Sequence, residues 1–371
     1  MKVGFDAKRA FLETSGVGNY SRSLIDALLK FKPQNEYHLY TTKTGDIYHP
    51  DPSEIHTPNT FIDTKLKSLW RRYKLTKELQ KNNIDIYHGL SHDLPRGIEK
   101  TSIASVVTIH DLIFLRHPET YPLIDTKIYY AKVKHSCTVA DKIIAISEQT
   151  KQDIIDYLNI DESKIEVIYQ NCDDSFKRVC SPEEKANVKA KYKLPNKYLL
   201  SVGTIEKRKN QARLIEAFDK LEDKSIELVI VGQPRKKYMQ EVLSKVNKNN
   251  KMRIHFYHDI SFSDFPALYQ SAEMLIYPSI FEGFGIPIIE ALYSKTPIIT
   301  SKGSCFPEAG GPDTLYVNPK DSSEIASTIT RLLQNDELKN TISEKGYKFV
   351  QQFNDELMAN QLQKLYESVL R

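Results

Sequence analysis

Glu282 and Glu290 stand eight residues apart in YPSIFEGFGIPIIEALYSKTPIIT (277–300), where an apolar strand runs into a loop and then into a helix expected to start near Pro287. Pro in a first helical turn marks that start. Gly283 and Gly285, with the backbone of Phe284 and Ile286 beside them, let a ligand approach the main chain closely. The first-turn N–H groups of the helix suit a phosphate or diphosphate. A carboxylate aimed at phosphate would repel it, so both glutamates are expected to accept hydrogen bonds from hydroxyls such as those of a sugar or a ribose. The plainer alternative is a glycine loop with two solvated glutamates.

A second segment, SVGTIEKRKNQARLIEAF (201–218), repeats the order of strand, turn at Gly203 and Thr204, and amphipathic helix. Its loop carries Lys207, Arg208 and Lys209, cations able to stabilise a leaving diphosphate through charge-assisted hydrogen bonds. Read alone, they leave open the plainer reading of solvated surface charges. Gly16 and Gly18 precede a helix expected from about Asn19. They are not a G-x-G-x-x-G fingerprint, because position 21 is Ser, and an ordinary helix start remains open. His110 and Asp111 follow directly on the strand IASVVTI, at the same carboxyl edge, where the imidazole can donate to a hydroxyl or carbonyl. His88, His92 and Asp93 repeat that placement, but two loop histidines without a third ligand make a poor metal site.

The chain has no D-x-D, Walker A loop, G-x-S-x-G elbow or H-E-x-x-H. Phosphate charge is therefore expected to be met by protein cations and helix ends, with no metal and no cofactor.

These residues need sheets to hold them. Six β-branched or aromatic runs (KVGFD, YHLYT, DIYHG, IASVVTI, KIIAI, IEVIY) alternate with helical patterns in the first half, and six more (YLLSVG, IELVIVG, RIHFY, MLIYP, PIIT, TLYVN) in the second. Alternation of this kind predicts parallel sheets wound with helices. Residues 171–197 form a polar linker with a helix closed by Pro195. The expected architecture is α/β, two doubly wound domains, 1–172 and 173–351, with a helix from about 352 to 371 returning to the first. Ligands then bind at the carboxyl ends of the strands, in a cleft between the domains.

The length of 371 residues suits two domains. Basic and acidic residues nearly balance (52 − 48 = +4), which excludes a nucleic-acid scaffold. No signal peptide or membrane-spanning run is legible, so a cytoplasmic protein is expected. Cys137, Cys172, Cys180 and Cys305 lack metal-finger spacing and read as packing residues. Residues 65–81, KLKSLWRRYKLTKELQK, form a basic amphipathic helix that could lie on the anionic inner face of a membrane or simply pack on the first sheet.

Taken together, EGFGIPIIE, GTIEKRKN, GVGNYSRSL and VVTIHDLIFLRHPE resemble glycosyltransferase family 4, retaining enzymes of the two-Rossmann-domain GT-B fold, along nearly the whole chain. The resemblance implies that Glu282 contacts the donor sugar, Glu290 holds the nucleotide ribose, and the backbone of residues 283–286 faces the diphosphate. It also implies that Lys209 binds the diphosphate, that Gly16 and Gly18 lie near donor phosphates and acceptor, and that His110 lies near the transferred sugar. SEQTKQDI from Ser147 and SCFPEAGG with Glu308 occupy family-like places. Many relatives carry Arg where this chain has Thr204, so Arg208 is assigned the second cation. The wording is similar to the mannosyltransferase B-like branch of surface polysaccharide assembly, which favours GDP-mannose as donor and a glycan or lipid-linked glycan as acceptor. The rival readings are a nucleotide-sugar epimerase or hydrolase, and a non-catalytic sugar-nucleotide-binding or membrane-scaffold protein.

Overall fold

The computed structural model describes residues 1–50, 54–58 and 64–370. They form two compact units, Met1–Asn171 with Phe353–Arg371, and Cys172–Gln352.

The first unit is built on a seven-stranded parallel sheet in the order β3-β2-β1-β4-β5-β6-β7. Its strands are β1 (Lys2–Asp6), β2 (Glu36–Tyr40), β3 (Glu54–His56), β4 (Ile86–Gly89), β5 (Ala104–Ile109), β6 (Lys142–Ala145) and β7 (Ile165–Val167). The second unit has six parallel strands in the order β10-β9-β8-β11-β12-β13. These are β8 (Tyr198–Val202), β9 (Glu227–Val231), β10 (Ile254–Tyr257), β11 (Met274–Tyr277), β12 (Ile298–Ser301) and β13 (Leu315–Val317). Central strands such as ASVVTI and MLIY are buried on both faces, because helices cover both sides of a parallel sheet. In each sheet the strand order reverses beside the first strand, between β1 and β4 and between β8 and β11. The loops leaving those strands part there, which makes the spot a ready ligand crevice. All twelve strands read from the sequence are present; β3, only three residues long, was not legible.

Two helices depart from expectation. The helix expected near Asn19 runs Gly16–Phe31, with Ser15 as N-cap, so both glycines belong to its first turn. A Cβ on Gly18 would sit 2.1 Å from the Glu13 carbonyl oxygen, whereas one on Gly16 would meet open space. Close packing of this turn on the chain leaving the Lys8–Leu12 helix demands Gly18. The basic segment is interrupted by a π turn, Trp70–Lys74, between Lys67–Leu69 and Leu75–Lys81. Trp70 is buried there and donates its indole N–H to Glu78 at 2.8 Å, while Arg71 pairs with Asp6 and Asp93. Those two residues serve the core; Leu66, Leu69 and Tyr73 remain exposed. In the linker, Ser181 and Glu184 cap each other's backbone at 3.0 and 2.7 Å and start the Pro182–Tyr192 helix.

Asn354 caps the final helix, Asp355–Val369, which packs against Gly16–Phe31 and is bonded by Gln363 to Asn35 (2.8 Å) and by Tyr366 to His88 of β4 (2.8 Å). All four cysteines are free and buried. Among the described residues no helix is long and apolar enough to cross a membrane.

Candidate active site

The loops leaving β8 and β11 converge on Glu282. Its Oε1 receives Lys209 Nζ at 2.7 Å, Ser279 Oγ at 2.7 Å and Tyr277 Oη at 3.1 Å, and its Oε2 pairs with Arg208. Lys209 also donates to the Tyr277 hydroxyl at 2.7 Å and stands 5.0 Å from the ring centroid. Arg208 continues to Glu206 at 2.6 Å and to the Phe281 carbonyl at 2.8 Å. Burial alone would raise the Glu282 carboxyl, but Lys209 and Arg208 outweigh it and hold the group down at about 2. Burial would lower Arg208, yet Glu282 and Glu206 keep it above its ordinary value.

The cationic loop is therefore not a bare positive pocket. Two of its three cations are largely buried and balanced by two carboxylates, because a buried charge is tolerable only when paired. Lys207 is the exposed one.

The glutamate loop is fastened from several sides. Ser301 and Thr300 of β12 donate to the carbonyls of Ser279 (2.6 Å) and Tyr277 (2.9 Å). Cys305 Sγ donates toward the carbonyls of Phe284 (2.9 Å) and Glu282 (3.2 Å), and Ser304 Oγ also reaches the latter. The Ile280 N–H meets the Arg208 carbonyl at 2.8 Å, and Asn210 Nδ2 bridges the carbonyls of Pro278 and Pro319. Gly285, at φ 107°, caps the helix Ile286–Tyr293, a backbone angle that other residues rarely adopt. Pro287 offers no N–H, and that of Ile288 is bonded to the Gly285 carbonyl at 2.9 Å, so fewer first-turn donors face a ligand than the sequence suggests. Glu290, one turn on, is buried and accepts from Tyr269 at 2.7 Å; burial pushes its carboxyl up to about 7. Gly203 and Thr204 form the turn after β8, where Gly203 N–H bonds the Val231 carbonyl at 2.9 Å and the Thr204 carbonyl accepts from Gln211 at 3.1 Å.

The first unit carries its own pocket at the carboxyl edge, of about 210 Å³, lined among others by Arg9, Val17, Ser91, His92, His110 and Asp111. His110 Nε2 lies 2.9 Å from the Leu90 carbonyl, so that nitrogen carries the proton and the free role of the ring is acceptance at Nδ1. Burial, helped by His92, lowers its pKa to about 3, which leaves it neutral. Tyr20 packs edge-on against it at 4.7 Å. Of the two acceptors expected for this imidazole, a hydroxyl or a carbonyl, the Nε2 proton meets a carbonyl, that of Leu90 in the backbone. His92 accepts the His110 N–H at 2.9 Å, and both ring nitrogens of His88 are bonded, to Tyr366 and Thr108 at 2.8 Å each. Gly16 and Gly18 sit one residue either side of Val17.

Residues 14–176 match the sequence model of Glycosyltransferase Family 4, and residues 183–349 match that of Glycosyl transferases group 1. The chain is a family 4 glycosyltransferase. It is 25% identical to O-antigen chain mannosyltransferase B of Escherichia coli over 99% of this chain and 100% of that one. It is 32% identical to O-antigen chain mannosyltransferase RfbU of Salmonella typhimurium over 62% of this chain and 60% of that one. Among solved structures, a glycosyltransferase from Rickettsia africae superimposes with a TM-score of 0.78 at 20% identity, covering 100% of this chain and 98% of the other. Anabaena Alr3699/HepE in complex with UDP and glucose gives 0.77 at 18%, covering 99% and 100%. Both are likenesses of fold, and the fold of this glycosyltransferase is GT-B.

Sequence reasoning missed several parts of this candidate site. Tyr277, the last residue of β11, binds both Lys209 and Glu282. Ser279 completes the Glu282 shell, and Cys305, read only as packing, also ties down the loop. An aromatic at a strand's carboxyl end beside a Ser-x-x-Glu spacing was the available signal; for Cys305 the sequence held none.

Proposed function

We propose that this glycosyltransferase moves mannose from GDP-mannose, with retained anomeric configuration, to a glycan or lipid-linked glycan in surface polysaccharide assembly. The observation that carries the reading is Glu282 held by Lys209 and Arg208 where the strand order of the second sheet reverses, and the names of the O-antigen relatives support the choice of sugar. Glu282, ionised and anchored, accepts hydrogen bonds from the hydroxyls of the donor sugar. Lys209 and Arg208 stabilise charge on the diphosphate as the sugar–phosphate bond lengthens, a gain made mainly in the transition state. The acceptor oxygen bonds to the anomeric carbon as the phosphate leaves on the same face, and the departing phosphate oxygen takes the acceptor's proton. No protein nucleophile and no metal ion enters this reading. Glu290 holds the ribose, and neutral His110 accepts from a sugar hydroxyl through Nδ1.

Incubation with GDP-mannose, UDP-glucose and UDP-N-acetylglucosamine, followed by thermal shift and by NMR of the product anomer, tests it. GDP-mannose should raise the melting temperature most, since a ligand selective for the folded state stabilises it, and the product should be an α-mannoside. Free mannose or an epimer without acceptor would instead indicate a hydrolase or epimerase, and donor binding without transfer across an acceptor panel would indicate a binding protein.

Peripheral membrane contact belongs to the same proposal. Exposed Leu66, Leu69 and Tyr73 lie among Lys65, Lys67, Arg72 and Lys74, and the Leu123–Val139 helix exposes Leu123 and Ile124 at 77% and 74%. Apolar side chains among cations fit an anionic bilayer surface. Cosedimentation with phosphatidylglycerol vesicles should fall for Leu123→Ser with Ile124→Ser; unchanged binding sinks this part.

A further inference from the structure

Glycosyl transfer leaves the edge of the first sheet without a task, yet three lone-pair-bearing atoms converge there. Parallel register sets His38 opposite Glu54 and Tyr40 opposite His56. With a side-chain period of two, His38, Glu54 and His56 therefore share one face. His38 Nδ1 lies 3.0 Å from His56 Nε2 and 3.3 Å from Glu54 Oε2, and His56 Nε2 lies 3.6 Å from the same oxygen. A tetrahedral zinc ion with ligand bonds of about 2.0–2.1 Å separates its ligand atoms by about 3.3 Å. The three distances bracket that edge length.

One proton between the imidazoles would satisfy a single pair and would leave the Glu54 oxygen facing a nitrogen lone pair. A cation would satisfy all three. The ring atoms that converge, His38 Nδ1 and His56 Nε2, are the kind through which a neutral imidazole ligates. Orientation is fixed as well: His38 is 3% exposed, and His56 stacks on Tyr40 at 4.6 Å between centroids. The ammonium of Lys2, whose field reaches His38, is engaged by Glu36 at 3.1 Å. Glu54 is mostly exposed, which leaves room for a solvent molecule as fourth ligand.

We propose that His38, Glu54 and His56 bind a divalent transition-metal ion of the zinc class, which clamps the short edge strand β3 onto β2. The donor set of two imidazoles and one carboxylate suits zinc, and its place on the outermost strand makes the role structural or regulatory rather than catalytic. The sequence conceals it because the two histidines share no helical or finger spacing; only the strand register joins them.

The test is titration of the full-length protein with zinc against a chromophoric chelator, and with cobalt(II) read by visible absorption. Expected are one equivalent bound, the intense bands of four-coordinate cobalt, and affinity lower by about tenfold or more in His56→Gln and Glu54→Gln, a loss at least as large as that for second-shell changes. Those two positions are the more exposed ones, so folded variants are expected, and circular dichroism checks this. Unchanged affinity in both folded variants, binding no tighter than that of scattered surface histidines, or a six-coordinate cobalt spectrum would each overturn the proposal.

Discussion

Lys209 Nζ sits 2.7 Å from Glu282 Oε1, and both groups also meet the hydroxyl of Tyr277. The cation assigned to the leaving group and the carboxylate assigned to the sugar thus fix each other before any donor arrives. Pre-orientation of this kind lowers the reorganisation needed during reaction.

Lys209→Ala should therefore reduce turnover by about a hundredfold to a thousandfold, the range for removing one stabilising donor, with a much smaller change in donor affinity. Steady-state kinetics beside calorimetric binding of the donor separates the two effects. Turnover equal to that of the parent would reject the role.

Glu282→Gln leaves Lys209 without its anion and Arg208 with Glu206 alone. The expected cost is about 3–5 kcal/mol, as for breaking a buried pair by removing one partner. Because the folded pKa of Glu282 is depressed from 4.5 to about 2, its contribution is complete above pH 4.5 and fades as pH falls toward 2. Urea midpoints between pH 5 and 2.5 should show a steep acid limb in the parent and a shallower one in the variant.

Glu290 carries the opposite sign. Its folded pKa is raised from 4.5 to about 7, so its favourable contribution is complete below pH 4.5 and is lost as pH rises through 7. That trend is worth about 3 kcal/mol at 1.36 kcal/mol per pKa unit. Glu290→Gln should flatten the fall in stability between pH 5 and 7.5 measured by denaturant titration; an unaltered slope would assign that fall elsewhere.

Gly16→Ala and Gly18→Ala should differ sharply. A methyl group at position 18 collides with the Glu13 backbone and should cost about 1–3 kcal/mol, whereas one at position 16 enters open space. If Gly16 faces a ligand, its alanine variant keeps the parent's melting temperature and loses activity.

Much of this arrangement was legible because the central strands are short apolar runs that alternate with helices, and because Glu282, Glu290 and Lys209 sit in loops or a helix start whose position follows from those strands. The same reasoning could not reach pairing. Nothing local says that Arg208 and Lys209 both turn onto Glu282, that His110 spends its proton on the Leu90 carbonyl, or that Arg71 leaves a basic surface for buried Asp6. Each depends on which loops meet across neighbouring strands. Strand β3 was missed because EIH has no apolar alternation, and with it went the register that gathers His38, Glu54 and His56.

The helix Asp355–Val369 supplies Tyr366 to His88 and Gln363 to Asn35, although 181 residues of the second unit (172–352) are translated between them. On the ribosome, the side of the Gly16–Phe31 helix that this segment covers waits bare until its last turns emerge. Nascent chains stalled before residue 355 should accordingly be held by chaperones, and a premature stop there should lead to degradation of the opening half of the protein rather than to a working fragment.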